Sequence, residues 1–149
     1  MKKLFLLVIV FVLAACSAQP SSEFDNNMSK WEKAGISHYR YVLFISCFCP
    51  FTEDMPLTIE VKDGVVISMT RSDGTPVSPT DPSYGTYETY STIDRIFLNL
   101  KADLTGEADE VAVTYDSAYG FPLSISVDQI KEAIDDELYI QITEFVVLE

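Results

Sequence analysis

Residues 38–48 read HYRYVLFISCF, and residues 57–70 read LTIEVKDGVVISMT. In the first stretch Tyr39, Tyr41, Leu43 and Ile45 share one parity, with Val42, Phe44 and Phe48 on the other. Aromatic and β-branched residues on both parities predict a long strand over 38–48, buried on much of both faces. The second stretch divides at Asp63-Gly64. Both central positions of a tight hairpin turn need φ > 0, so this pair predicts a hairpin with arms 57–62 and 65–70.

On the N-terminal side of these strands, Phe24, Met28 and Trp31 recur at i, i+4 and i+7. Ser22 and Asp25 offer caps before that stripe and Gly35 a stop after it, which together predict a helix of about three turns. On the C-terminal side, residues 71–87 hold three Pro and two Gly. They read as a loop longer than the usual connection, which marks a functional or mobile segment. Ser91 with Asp94 then suggests a capping box. Ile93, Ile96, Phe97, Leu100 and Leu104 mark one helical face, and Gly106 ends it. Residues 110–115, 123–127 and 138–148 read as three more strands, the last alternating Ile140, Ile142 and Val146 against Tyr139, Phe145 and Val147. The order helix, three strands, helix, three strands specifies an α+β domain: an antiparallel sheet of about five to six strands with two helices packed on one face.

Cys47-Phe48-Cys49-Pro50 is the most distinctive local motif. In an extended strand residues i and i+2 lie about 6.6 Å apart on one face. A disulfide wants Cβ atoms about 3.8 Å apart, so bonding Cys47 to Cys49 requires the strand to bend. Pro50 favours that bend by stopping the ladder. So small a ring constrains the unfolded chain little, which makes the bond a local clamp or a redox couple. Free thiols or a metal site are the remaining readings. The single His, His38, disfavours the metal, since it lies about 30 Å away along the strand and on the opposite parity.

Residues 1–15 combine Lys2 and Lys3 with an apolar run from Leu4 to Ala15, and end Leu13-Ala14-Ala15-Cys16. The run is too short to span a bilayer, which needs about 20 residues, but suits a signal peptide. Small residues before Cys resemble the bacterial lipobox, so Cys16 is the expected lipidation site. Ser17, rather than Asp, after it directs such lipoproteins to the periplasmic face of the outer membrane if the cell is Gram-negative. Residues 16–22 then form the lipidated Cys and a short polar tether. Residues 23–149 form the single α+β domain. With Cys16 carrying lipid, Cys47 and Cys49 remain as a pair in an oxidising compartment.

The 23 Asp and Glu against 10 Lys and Arg give a net charge of -13, which excludes a nucleic-acid partner. Removing residues 1–15 takes Lys2 and Lys3 away and sharpens that acidity. Asp135-Asp136-Glu137, with Asp128 before them, is the densest acidic group. Its spacing is not that of an EF-hand, so a solvated acidic face is expected, with Ca²⁺ a weak alternative. In Tyr115-Asp116-Ser117-Ala118-Tyr119-Gly120-Phe121-Pro122, turn chemistry is the main expectation: Asp116 caps, Gly120 takes φ > 0 and Pro122 opens a strand. The alternative is that Tyr115, Asp116, Tyr119, Gly120 and Pro122 form an exposed binding surface with two stacking rings. His38 reads as a structural histidine. No HExxH, GxSxG or GxxxxGK occurs, so no catalytic set is assigned.

Tyr39-Arg40-Tyr41, CFCP (47–50), VKDGVV (61–66), TIDRIF (92–97), YDSAYGFP (115–122) and Asp135-Asp136-Glu137 resemble, in that order, an uncharacterised family of small bacterial secreted or lipid-anchored proteins classed as a domain of unknown function. Ser117 departs from the pattern, which often has Pro there. The resemblance implies the lipoprotein and the α+β fold, and brings no activity, substrate or cofactor. The expected role is a non-enzymatic envelope module held to the membrane by its lipid. Its ligand is an envelope protein or small molecule, met at loop 71–87 and the Tyr119 hairpin. A thiol/disulfide role for Cys47 and Cys49 and a Ca²⁺-stabilised structural domain are the alternatives.

Overall fold

The structure, a computed structural model, describes residues 20–149, with side chains described from residue 22. The expected signal peptide, residues 1–15, and the expected lipidation site, Cys16, lie outside the described residues. The element order is α1 (Pro20–Ala34), β1 (His38–Ser46), β2 (Leu57–Lys62), β3 (Val65–Arg71), α2 (Tyr84–Thr89), α3 (Ile93–Thr105), β4 (Glu110–Tyr115), β5 (Pro122–Asp128) and β6 (Leu138–Val147). All six strands form one antiparallel sheet in the order β3-β2-β1-β6-β5-β4, so the two long strands β1 and β6 sit at its centre.

Helices cover one face. Tyr39, Tyr41, Leu43 and Ile45 of β1, Leu57, Ile59 and Val61 of β2, and Ile140 and Ile142 of β6 are buried there. They belong to one core with Phe24 and Trp31 of α1 and Ile93, Ile96, Phe97 and Leu100 of α3. Each such side chain, fully buried, contributes about 1.5–3 kcal/mol by area. Polar anchors orient the helices on this core. The Trp31 indole donates to Asp94 Oδ1 (3.1 Å), joining α1 to α3. The Tyr39 hydroxyl accepts from the Ile93 amide (3.1 Å), and the Tyr41 hydroxyl donates to the Tyr90 carbonyl (3.0 Å). Burial pushes the Tyr39 phenol up to about 12 and the Tyr41 phenol well above its ordinary value.

The α+β architecture and both long helices agree with expectation, and the Asp63-Gly64 hairpin forms with φ 51° and 76°. Several details differ. Helix α1 begins at Pro20, so it takes in the last residues of the stretch read as tether; Pro at the start of a helix gives up no hydrogen bond. Strand β1 stops at Ser46, two residues early, and its second face is only half-buried at Val42 and Phe44 because no helix packs there. The cap of α3 is Thr92, whose side chain accepts from the Arg95 amide, while Ser91 is buried and donates to the Glu88 carbonyl. Loop 71–87 is pinned by pairing of Thr70 with Pro76 and ends in α2, where Tyr87 is fully buried.

Strand β6 does not keep one alternation. Glu144 takes φ 51°, and the β1–β6 register shifts between Arg40 and Val42, so Glu144 and Phe145 together oppose one residue of β1. This bulge reverses the parity. Phe145 turns inward among Trp31, Tyr39 and Phe121, with centroids at 6.0, 5.5 and 4.4 Å. Val146 and Val147 are left exposed.

Candidate functional site

The sheet has two ends. One carries the end of β1, the starts of β2 and β6 and the end of β5; the other carries the β4–β5 turn and the start of β1. At the first end β1 bends immediately after Ser46. Cys47 and Cys49 are disulfide-bonded with Cα atoms 5.1 Å apart, shorter than the spacing of an extended strand. The Cys49 amide donates to the Cys47 carbonyl (2.7 Å), closing a three-residue turn. Both cysteines are half-buried against the core. The residue between them has nowhere to go but outward, and Phe48 is 82% exposed.

Beyond the clamp the chain is held firmly. The Thr52 hydroxyl donates to the Cys49 carbonyl (2.9 Å). Phe51 is buried edge-on against Tyr87, at 5.2 Å between centroids. The Tyr87 hydroxyl donates to Asp54 Oδ2 and Arg71 Nε donates to Asp54 Oδ1, both at 2.7 Å, while Arg71 also binds Asp81. The Arg71 and Tyr87 hydrogen bonds hold the Asp54 carboxyl below its ordinary value, and burial pushes the Tyr87 phenol up to about 12. Loop 71–87 is thereby tied to residues 51–54, which directly follow the CFCP motif.

A shallow depression of about 250 Å³ beside Phe48 is lined by Cys47, Asp135, Glu137, Leu138 and Tyr139. The acidic group therefore meets the CFCP segment. Its members do not form a metal cage: among the described residues no group of three or more His, Cys, Asp or Glu side chains is arranged to hold an ion. Asp136 Oδ2 instead accepts from the Ile130 amide (2.8 Å), and Asp109 Oδ2 accepts from the Lys131 amide (2.9 Å). Asp128 stands in the field of Asp136, Glu137, Asp109 and Glu110. Desolvation first, then these like charges, raise its carboxyl above the ordinary value. Next to Asp135, Ile134 is 86% exposed.

The YDSAYGFP segment lies at the other end and does not join this group. Its residues are spent internally, as turn chemistry requires. Asp116 Oδ1 accepts from the Ala118 and Tyr119 amides, and the Gly120 amide donates to the Asp116 carbonyl (3.0 Å). The two rings expected to stack on a ligand are half-buried: Tyr119 packs on Phe145 at 5.9 Å, and burial pushes the Tyr115 phenol up to about 12, with Glu23 of α1 adding to the rise. Gly120 and Pro122 are buried. Gly120, at φ 83°, lies so close to α1 that a Cβ would stand 2.5 Å from the Asn27 carbonyl oxygen. Lys30 Nζ donates to the Ser117 carbonyl (2.9 Å). His38 is held on both ring nitrogens: Nδ1 meets the Glu149 carbonyl at 3.0 Å and Nε2 meets Glu60 Oε1 at 2.8 Å.

Phe48 itself was not among the residues expected to matter. Its signal was present in the motif, because the middle residue of a bonded Cys-x-Cys bend must face away from the core that receives the two sulfurs. Ile134 had no such signal. The profile of a family described as "Family of unknown function (DUF6174)" matches residues 23–147. No curated protein and no solved structure matches the chain.

Proposed function

The chain belongs to this family of unknown function, and we propose that it works as a lipid-anchored, non-enzymatic binding module of the cell envelope. The observation that carries this reading is the 82% exposed Phe48, clamped between two bonded cysteines at the end of the sheet away from α1. A ring already held in place by the clamp loses little entropy when a partner covers it. The LAAC ending at Cys16 supports attachment by acyl chains on that residue, and among the described residues no helix is long and apolar enough to cross a membrane. In a Gram-negative cell Cys16, followed by Ser17, places the domain on the periplasmic face of the outer membrane.

A photo-crosslinking residue at position 48 of the full chain in living cells tests the binding reading, with position 118, exposed at the opposite end, as control. A discrete adduct from 48 and none from 118 is expected. No adduct from 48, or equal adducts from both, overturns it. Mass measurement of the membrane-bound protein, with Cys16→Ser as comparison, tests the anchor: acyl mass lost in the variant is expected.

A second reading is a disulfide that exchanges with a dithiol partner, favoured by the bond joining two cysteines that are only half-buried. A partner thiolate would attack one sulfur and release the other as thiolate. The partner's second thiol would then resolve the mixed disulfide, so that two electrons and two protons pass to Cys47 and Cys49. Thiol labelling across glutathione buffers decides it: a bond that stays closed throughout leaves the clamp alone.

A further inference from the structure

Resting on the reading of this end as a binding surface, we propose that its partner is a cationic protein, one that offers an apolar socket for Phe48 and a rim of Lys or Arg. The apolar part of the surface is Phe48 with Ile134, 82% and 86% exposed, and Ile130 at 59%. Phe48 shares one depression with Asp135 and Glu137, and Ile134 immediately precedes Asp135. Phe48 is therefore flanked by carboxylates.

Behind that rim stand Asp128, Asp136, Asp109 and Glu110; desolvation first, and then the nearby like charges of Asp136, Glu137, Asp109 and Glu110, raise the Asp128 carboxyl. Backbone amides take one oxygen each from Asp136 and Asp109, but no salt bridge to any of these six carboxylates forms among the described residues. The six carboxylates thus concentrate negative charge beside Phe48. A cationic rim relieves it, speeds the encounter, and leaves the apolar contact to set the lifetime. An anionic lipid surface is the wrong match, because its headgroups would meet the same carboxylates.

The test uses the full chain in detergent with three synthetic peptides: amphipathic Leu/Lys, neutral Leu/Gln and anionic Leu/Glu. Saturable binding of Leu/Lys is expected, weakening as salt rises from about 50 to about 500 mM, with Leu/Gln much weaker and Leu/Glu silent. Phe48→Ser is expected to weaken Leu/Lys about tenfold. Asp135→Asn with Glu137→Gln is expected to weaken it about fivefold through a slower association rate. Asp25→Asn with Glu32→Gln, the same charge change on α1, leaves it unaltered. If Phe48→Ser weakens binding and the rim pair does no more than the α1 pair, the cationic partner is overturned while the binding surface stands. If Phe48→Ser binds like the parent, the surface itself is wrong. Quenching of Phe48→Trp fluorescence by brominated lipid in proteoliposomes would make the occupant a membrane and overturn the proposal too.

Discussion

The two ends of the sheet are built from similar material and put it to opposite use. Each carries a short segment with aromatic rings, a Pro and a sharp bend: Cys47-Phe48-Cys49-Pro50 at one, Tyr115 to Pro122 at the other. In the second, Tyr119 and Phe121 join the Trp31–Tyr39–Phe145 cluster, and the bend lies flat on α1. In the first, the disulfide sends its two sulfurs toward the core and its one ring into solvent. The lesson lies in what covers each bend. A helix packs over the β4–β5 turn, so its aromatic side chains serve stability. Nothing in the described residues packs over Phe48, so it is available for contact.

That contrast can be broken most readily at Gly120. A methyl there must enter the space of the Asn27 carbonyl and the Lys30 Cβ, on a backbone at φ 83°. Gly120→Ala is expected to cost about 3 kcal/mol in denaturant unfolding; a loss under about 1 kcal/mol would mean that α1 yields easily and the packed end is not packed. Next in size is an alkaline limb. Tyr39, Tyr87 and Tyr115 have phenols pushed up to about 12 in the folded state. Their unfolded counterparts ionise near 10, so this stability is fully present below about pH 10 and is lost as pH rises toward about 12. Unfolding by circular dichroism should coincide with tyrosinate absorbance. Ionisation of these rings before unfolding would show that they are more open than described.

Smaller effects belong to the other end. Replacing both Cys47 and Cys49 by Ser opens a ring of three residues, for which the chain-entropy model gives about 1.5 kcal/mol at most. A calorimetric loss well above that would make the clamp part of the core's support rather than a holder for one ring. Phe48→Ser should change stability by less than about 0.5 kcal/mol, since the ring is mostly in water already. A larger loss would sharpen the comparison differently, by showing that Phe48 shelters the half-buried sulfurs.

Much of the fold was legible because its signals are local. The stripe Phe24-Met28-Trp31 and the face from Ile93 to Leu100 carry helical spacing, and Asp63-Gly64 carries a turn that few other pairs can make. Local signals failed where two solutions were close in energy. Ser91 and Thr92 are both able to cap α3, and the choice fell to Thr92 because Ser91 is enclosed and satisfied by Glu88. The candidate site was legible only in part. The expected loop 71–87 does lie beside the CFCP segment through Tyr87 and Arg71, and Asp135 and Glu137 join it, whereas the Tyr119 hairpin does not.

By itself the sequence determined the class of the domain, the central strand, the hairpin and the bend required by two cysteines at i and i+2. These follow from side-chain periodicity and covalent reach, which involve only near neighbours. Tertiary structure alone decided which motifs share an end of the sheet. It also decided that Glu144 bulges so that Phe145 turns inward, and that Tyr119 is packed while Phe48 is bare. Those outcomes depend on strand order and on where α1 crosses the sheet, and both are set by the simultaneous burial of residues distant in the chain.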